Sequence, residues 1–319
     1  MKLLTAIVLF SIFLVGYGYD LMSQNNYYQK VRIRKKVQYS ETQKIGNKKI
    51  TPLYFDFYEP NYNSAVYRPL VITLYGGGFV FGSRTNSDMR IFCKQLALNG
   101  YTAASIDYSN MRLCRFSNKN LIRAAYMSVQ DLSTAIRFFK ANAEDYNIDT
   151  SNIFLLGSSS GSATILHEIF MDDDESPIDA FDSLKFGKIH LKGDTTLFNY
   201  STKVSGAILQ WGCILDTTMI DQNELTNLCF IHCNKDKIVP YDSGYYFSCK
   251  KFPYVYGAKT ISSCINKYDT GDYDCEIHNM VNRSHVFYYD VLYRFILNKK
   301  KFNECLQIIL DFLENNVNR

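Results

Sequence analysis

Residues 152–165 leave this chain the fewest options. Ile153-Phe154-Leu155-Leu156 is a short apolar run, the pattern of a strand buried on both faces. Gly157-Ser158-Ser159-Ser160-Gly161 comes next, and Ala163-Thr164-Ile165 opens a segment that reads as helix. A strand that becomes a helix within five residues must turn sharply. Side chains at the two flanking glycines would collide with the adjoining strand and helix, so only hydrogen fits there. The spacing predicts Ser159, rather than Ser158 or Ser160, at the tip of the turn, above a helix N-terminus. A plain Ser/Gly loop is the alternative, and the rest of the chain has to decide between them.

The surrounding segments point to a mostly parallel sheet. Residues 31–39 and 49–58 alternate polar and apolar side chains and read as an opening antiparallel pair, closed by a turn at 59–63. Residues 70–74 form a continuous apolar run, as expected of a central strand. Tyr75-Gly76-Gly77-Gly78-Phe79 comes directly after it, where bare backbone N–H groups could approach a ligand oxygen. A flexible hairpin tip is the other reading of this triplet. Residues 88–99 and 121–141 have helical period and flank a strand at 101–106. Leu121, Ala124, Ala125, Val129, Leu132, Ile136 and Phe139 share one stripe, which reads as core packing. Strand alternating with helix predicts an α/β fold with helices on both faces of the sheet. Residues 171–202 break the rhythm and are expected to form a short cap or a solvated loop. Strands are expected at 204–210, 228–232 and 273–280, and closing helices at 286–296 and 302–313.

Compartment can be read from the N-terminus and the cysteines. Lys2 precedes an apolar run at 3–15, and Gly16 and Gly18 stand in small-residue positions of a cleavage site. Residues 1–18 are therefore expected to be a signal peptide, the run being short for a membrane span. That leaves residues 19–319 as a single α/β domain, secreted or extracytoplasmic, with no stable membrane insertion expected. Nine cysteines in an exported chain suggest disulfides, and Cys249, Cys264 and Cys275 crowd one segment where a staple is expected. The count is odd, so at least one is left without a partner in the chain. Sequons occur at Asn199 and Asn282. No C-x-x-C knuckle occurs and the five histidines are dispersed, so no structural zinc site is expected. The net charge of +4 is small for 319 residues. The basic runs at 32–36 and 299–301 read as solvated element ends, and nucleic-acid binding is not expected.

A serine nucleophile needs a base, and the base needs an acid to hold its tautomer. In a sheet of this kind the chain order is Ser, then Asp or Glu, then His. Asp236 lies just past the 228–232 strand and is followed by the apolar latch Ile238-Val239-Pro240. Asp216 and Asp221 are alternatives, but lie several residues beyond the end of their strand. Two histidines come later in the chain. His278 sits inside an apolar run and reads as a packed strand residue. His285, in the polar loop Asn282-Arg283-Ser284-His285, is the expected base. His167 lies along the helix after the serine and should point away, and His232 precedes Asp236 in its own strand. The backbone N–H groups of Gly77, Gly78 and Ser160 are the expected donors to an oxyanion.

With these residues in place, the sequence resembles the α/β-hydrolase superfamily, in its secreted carboxylesterase/lipase branch. The resemblance runs over roughly residues 50–290. It is carried by Leu74–Phe79, Ser105-Ile106-Asp107-Tyr108, Val129-Gln130-Asp131-Leu132, Ala135-Ile136-Arg137, Gly157–Gly161 and His232–Tyr241. It implies an α/β-hydrolase fold and hydrolysis of small-molecule or glycan-linked carboxylic esters through an acyl-serine, with no cofactor and no metal. Three departures stand out: Tyr75 where many esterases have His, Ser160 for a frequent Ala, and Cys233 where Gly is usual. Two other readings share parts of the pattern. A prolyl-oligopeptidase-type peptidase has the same residue order, but the glycine triplet speaks against it. A catalytically inactive binding protein on the same scaffold would have no need of all three polar residues.

Overall fold

The structure, a computed structural model, describes residues 30–43, 50–61, 66–111, 117–171, 199–268, 273–290 and 296–317, with Tyr28, Leu113, Leu197 and Gly271. The expected signal peptide, Cys114 and most of the expected 171–202 cap lie outside the described residues.

One large sheet is built from β1 (Val31–Gln43), β2 (Ile50–Pro60), β3 (Arg68–Leu74), β4 (Thr102–Ile106), β5 (Ile148–Ser158), β6 (Gly206–Gln210), β8 (Asn227–Cys233) and β11 (Cys275–Met280). These eight strands lie in the order β1-β2-β4-β3-β5-β6-β8-β11. The opening pair is antiparallel, β2 runs antiparallel to β4, and every later pairing is parallel. The expectation of an antiparallel entry followed by parallel crossovers is what the register shows. Leu70, Val71, Ile72 and Leu74 of β3 and residues 153–156 of β5 are almost wholly buried, as central strands covered on both faces must be.

The helices divide between the faces. Alternation along β2 sends Phe55 and Phe57 to one side, where they pack on Phe139 of α2 (Asn118–Ala141). Tyr58 points to the other side, toward Arg90 and Cys93 of α1 (Ser87–Leu98). The predicted stripe from Leu121 to Phe139 is buried along its whole length. A helical turn, α3 (Ala143–Tyr146), leads into β5, and α4 (Ser160–Phe170) packs beside α2 through Ser128 Oγ and Thr164 Oγ1, 2.8 Å apart. The final helix, α6 (Lys299–Asn316), joins α1, Phe302 stacking on Phe92 at 4.4 Å. Its N-cap is Asn298, whose side chain accepts from Lys301 N.

Two expectations are corrected, and one small sheet is new. No helix spans 286–290. Val286 has φ +52°, and Tyr289–Asp290 (β12) pairs with Ile296–Leu297 (β13). Tertiary packing overrides the helical period there: Tyr288 is fully buried against Trp211 and Phe302, and its hydroxyl donates to Gln210 Oε1. The small sheet had no sequence signal. Its strands, β7 (Cys213–Ile214), β9 (Ser243–Tyr245) and β10 (Tyr254–Gly257), are two to four residues long, too short to show alternation. They lie in the order β7-β10-β9. The short helix α5 (Ala258–Ile265) continues from β10.

Second, the expected disulfides are not formed among the described residues. Cys249, Cys264 and Cys275 are free, as are Cys93, Cys213, Cys229, Cys233 and Cys305. Cys275 in β11 turns its thiol to Ser262 of α5. Five thiols, those of Cys93, Cys213, Cys229, Cys233 and Cys305, are buried, each against a polar partner rather than another cysteine. Burial pushes those of Cys93, Cys213 and Cys233 up to about 12, far from the reactive thiolate.

Candidate active site

Ser159 stands where β5 ends and α4 begins, with φ +52° and ψ −113°. That backbone is strained for a residue with a Cβ and persists only where its surroundings hold it. They do: Ser159 N donates to Gln210 O (2.8 Å) and Ser162 Oγ donates to the same carbonyl (2.8 Å). The close packing of the flanks accounts for both glycines. A Cβ on Gly157 would lie 2.5 Å from Ser162 N, and one on Gly161 would lie 2.4 Å from Leu74 O. Both obstacles are backbone, which cannot swing aside.

The carboxylate and the imidazole converge on this turn. His285 Nε2 lies 3.1 Å from Ser159 Oγ, and His285 Nδ1 lies 2.6 Å from Asp236 Oδ2. A carboxylate can only accept, so Nδ1 carries the proton and Nε2 is left to accept from the serine hydroxyl. Asp236 lies in the turn after β8, its side chain without solvent exposure. Its Oδ1 accepts from Ile238 N (2.8 Å) and Val239 N (3.0 Å), so the apolar latch also fixes the carboxylate. Burial pushes the Asp236 carboxyl upward, but His285, His232 and these N–H groups outweigh it and hold the group below its usual range.

The glycine triplet lies beside the serine. A Cβ on Gly76 would come 3.2 Å from Ser159 Cβ. Gly77 has φ +145°, and a Cβ there would meet Phe81 O at 2.1 Å, so the turn closed by Val80 N and Phe81 N on Gly77 O admits only glycine. The loop stands on Tyr75 and Tyr108, whose rings stack at 4.3 Å. Tyr108 Oη donates to Tyr75 O and lies 3.1 Å from Ser160 Oγ. Tyr75, the departure from the usual His, is therefore a buried strut, braced by Asn110 Nδ2 on its hydroxyl (2.9 Å). Ser160 is the first residue of α4, and the N–H groups of a helix's first turn have no partner inside the helix. Gly76 of the triplet thus lies against the serine, and Ser160 stands at the positive end of the α4 dipole.

The rejected alternatives have other work. Asp216 and Asp221 are exposed and cap short helical turns by accepting from Thr218 N and Asn223 N. His278 lies half-exposed on β11 beside Glu276. His167 bridges Ala163 O and Leu215 N and is held neutral, its burial lowering its basicity.

Two residues near the imidazole had no sequence signal of their own. Trp211, with φ +53°, places its fully buried indole 5.3 Å from the His285 ring, and its Nε1 donates to Cys233 Sγ (3.2 Å). His232, fully buried, lies 3.6 Å from Asp236 Oδ2. Its Nε2 donates to Val239 O (3.1 Å), while its Nδ1 has no hydrogen-bond partner among the described residues. Asp236 stands in the turn just past the strand that carries His232, so the chain's own reversal makes this second histidine–carboxylate approach at i and i+4.

The sheet order, the sharp strand-to-helix turn and the convergence at the carboxyl ends of the parallel strands are those of an α/β-hydrolase fold. The chain's similarities lie with esterases. Residues 55–182 match the BD-FAE family model, an esterase/lipase-type α/β-hydrolase family. Gut esterase 1 of Caenorhabditis elegans is 27% identical over 97 residues, which are 30% of this chain and only 17% of that protein's length. Among solved structures, esterase 2 of Thermogutta terrifontis phosphoramylated by tabun superposes with a TM-score of 0.60 at 19% identity, covering 89% of this chain and 94% of that one. The propionate-bound form of the same esterase gives 0.59 at 18% identity, covering 89% and 96%.

Proposed function

We propose that this chain is a serine esterase that cleaves carboxylic esters through an acyl-serine. The observation that carries the reading is the unbroken sequence Ser159 Oγ, His285, Asp236, at 3.1 and 2.6 Å. Ser159 Oγ adds to the ester carbonyl while its proton passes to His285 Nε2. Asp236 stabilises the imidazolium without taking the proton. The negative oxygen of the tetrahedral species is met by the N–H groups of Gly77, Gly78 and Ser160, each such donor contributing about 2.7–4 kcal/mol toward the transition state. Collapse expels the alcohol, which takes the proton from His285. Water then attacks the acyl-serine by the same route in reverse, releasing the acid and restoring Ser159. Agreement with the esterase neighbours supports ester over peptide substrates. The apolar run at 3–15 supports export as part of the same reading, although the free cysteines lend it nothing.

The test is direct. The purified chain is incubated with a short-chain p-nitrophenyl ester and, separately, with a fluorophosphonate probe. Turnover and labelling are expected, both abolished by S159A. Wild-type protein that neither turns over the ester nor takes the label at Ser159 would sink the reading.

A further inference from the structure

Away from the candidate active site, β8 and β11 bring together three groups that the proposed ester chemistry does not use. Cys229 Sγ, Glu276 and His278 present donor atoms that all lie within 4.8 Å of one another. The backbone fixes this arrangement. Glu276 is the register partner of Cys229 in the parallel pairing, and His278, two residues on, shares the face of Glu276. The Cys229 thiol donates to the Glu276 carboxylate, and His278 Nε2 lies 3.4 Å from Glu276 Oε1. Cys229 is fully buried, whereas the side chains of Glu276 and His278 are 42% and 35% exposed at the sheet edge.

We propose that these three residues bind a borderline divalent cation, zinc above all, in a site separate from the candidate catalytic residues. Thiolate, imidazole and carboxylate together select zinc and its neighbours rather than magnesium or calcium, which prefer all-oxygen shells. The geometry is close to what is needed. An ion central to donors no more than 4.8 Å apart stands at most about 2.8 Å from each, and zinc–ligand bonds are about 2.0–2.3 Å. Closing the difference takes about half an ångström per donor, and the two exposed side chains are free to supply it. Binding replaces the thiol proton, which passes to solvent, while the carboxylate and the neutral imidazole coordinate directly. The solvent side leaves a fourth position for water. Sequence spacing concealed the site because Cys229 and Glu276 come from strands 47 residues apart.

The ion would fasten the edge strand β11 to β8, and β11 leads into the loop that carries His285. Reduced, chelator-stripped full-length protein is titrated with Co²⁺ and Zn²⁺. A thiolate-to-cobalt charge-transfer band is expected, together with one bound Zn²⁺ in competition with a chromophoric chelator. C229S and H278Q should each abolish the band or weaken Zn²⁺ by more than about a hundredfold, beyond the 10–100-fold that outer ligand partners contribute. H285Q should leave both signals intact, which separates this site from the candidate active site and its chemistry. Should C229S fail to fold, H278Q, altered at a half-exposed side chain, carries the test alone. No band, a band surviving both C229S and H278Q, or zinc binding lost only in H285Q overturns the proposal.

Discussion

His285 Nδ1 and Asp236 Oδ2 stand 2.6 Å apart although 49 residues of chain separate them. The other carboxylate oxygen is already committed, accepting from Ile238 N and Val239 N. This fixes what D236N must do. The amide will keep its oxygen on those two donors and turn its NH₂ toward His285. The imidazole then has to accept at Nδ1 and carry its proton on Nε2, facing Ser159 with the wrong tautomer. D236N is expected to fold as the parent does and to lose roughly 10⁴-fold in kcat. Ester turnover and a thermal melt measured together check it; full activity in D236N would remove Asp236 from the mechanism.

His232 is buried beside the same carboxylate, and burial lowers its pKa to about 4 despite the pull of Asp236. An unfolded histidine titrates near 6.5. Between about pH 6.5 and 4 the unfolded chain therefore binds the extra proton, and stability falls as the solution is acidified. The full loss is about 3 kcal/mol by pH 4. H232F keeps a ring next to Tyr241, 5.6 Å away, but cannot titrate. Urea unfolding is expected to show H232F less stable than the parent at pH 7, where Val239 O has lost its donor, with the gap narrowing as pH falls. A gap that stays constant from pH 7 to 4 would show that His232 does not titrate as described.

The elbow was legible because its constraint is local: two glycines whose missing Cβ atoms make room for Ser162 N and Leu74 O. The central parallel strands were legible as strands because residues 70–74 of β3 and 153–156 of β5 are buried on both faces and therefore nearly all apolar. The position of His285 came from chain order and loop polarity alone. Other features depend on partners far along the chain. Trp211 beside His285 and the thiol–carboxylate–imidazole cluster of β8 and β11 exist only once the sheet has formed. The segment after Val286 misled because residues 286–296 mix apolar and polar side chains as an amphipathic helix would, yet the burial of Phe287 and Tyr288 against Trp211 dictates an irregular turn. The cysteines misled in a different way, since number and crowding report composition, whereas most of these thiols face the core.

Asp131 gives a pH effect of the opposite sign. It lies in α2 and accepts from Ser109 N (2.7 Å), and burial pushes its carboxyl up to about 7. Its unfolded value is close to 3.9. Between these values the folded state holds the proton that the unfolded state has released, so stability declines as pH rises toward 7. D131N keeps an oxygen for Ser109 N and has no charge to bury. Relative to the parent it is expected to gain stability from pH 4 to 7, by up to about 4 kcal/mol. Denaturant midpoints of the two proteins across that range test the sign. A D131N curve parallel to the parent's would mean that Asp131 is ionised in the fold.

Glycines 161 and 78 separate packing from chemistry. A methyl on Gly161 would meet Leu74 O at 2.4 Å and Tyr75 O at 2.8 Å, both backbone atoms of the strand end that leads into the glycine loop. G161A must therefore push α4 away from β3, and overpacking of this kind typically costs about 1–3 kcal/mol, more where neither side can yield. Gly78 is different. No described residue lies within 4 Å of a Cβ built there, but its φ of +62° is one that alanine tolerates at a cost of roughly 1–2 kcal/mol. G78A is expected to fold with a lowered melting temperature and to lose activity disproportionately, because a tilted amide no longer aims at the oxyanion. Loss of one such donor typically reduces kcat by about 10²–10³-fold. Melting curves and ester kinetics on both variants distinguish the cases: G161A should fail first in stability, G78A first in kcat. A G78A enzyme with undiminished kcat would remove that amide from the oxyanion site and leave Gly77 and Ser160 to bind the charge.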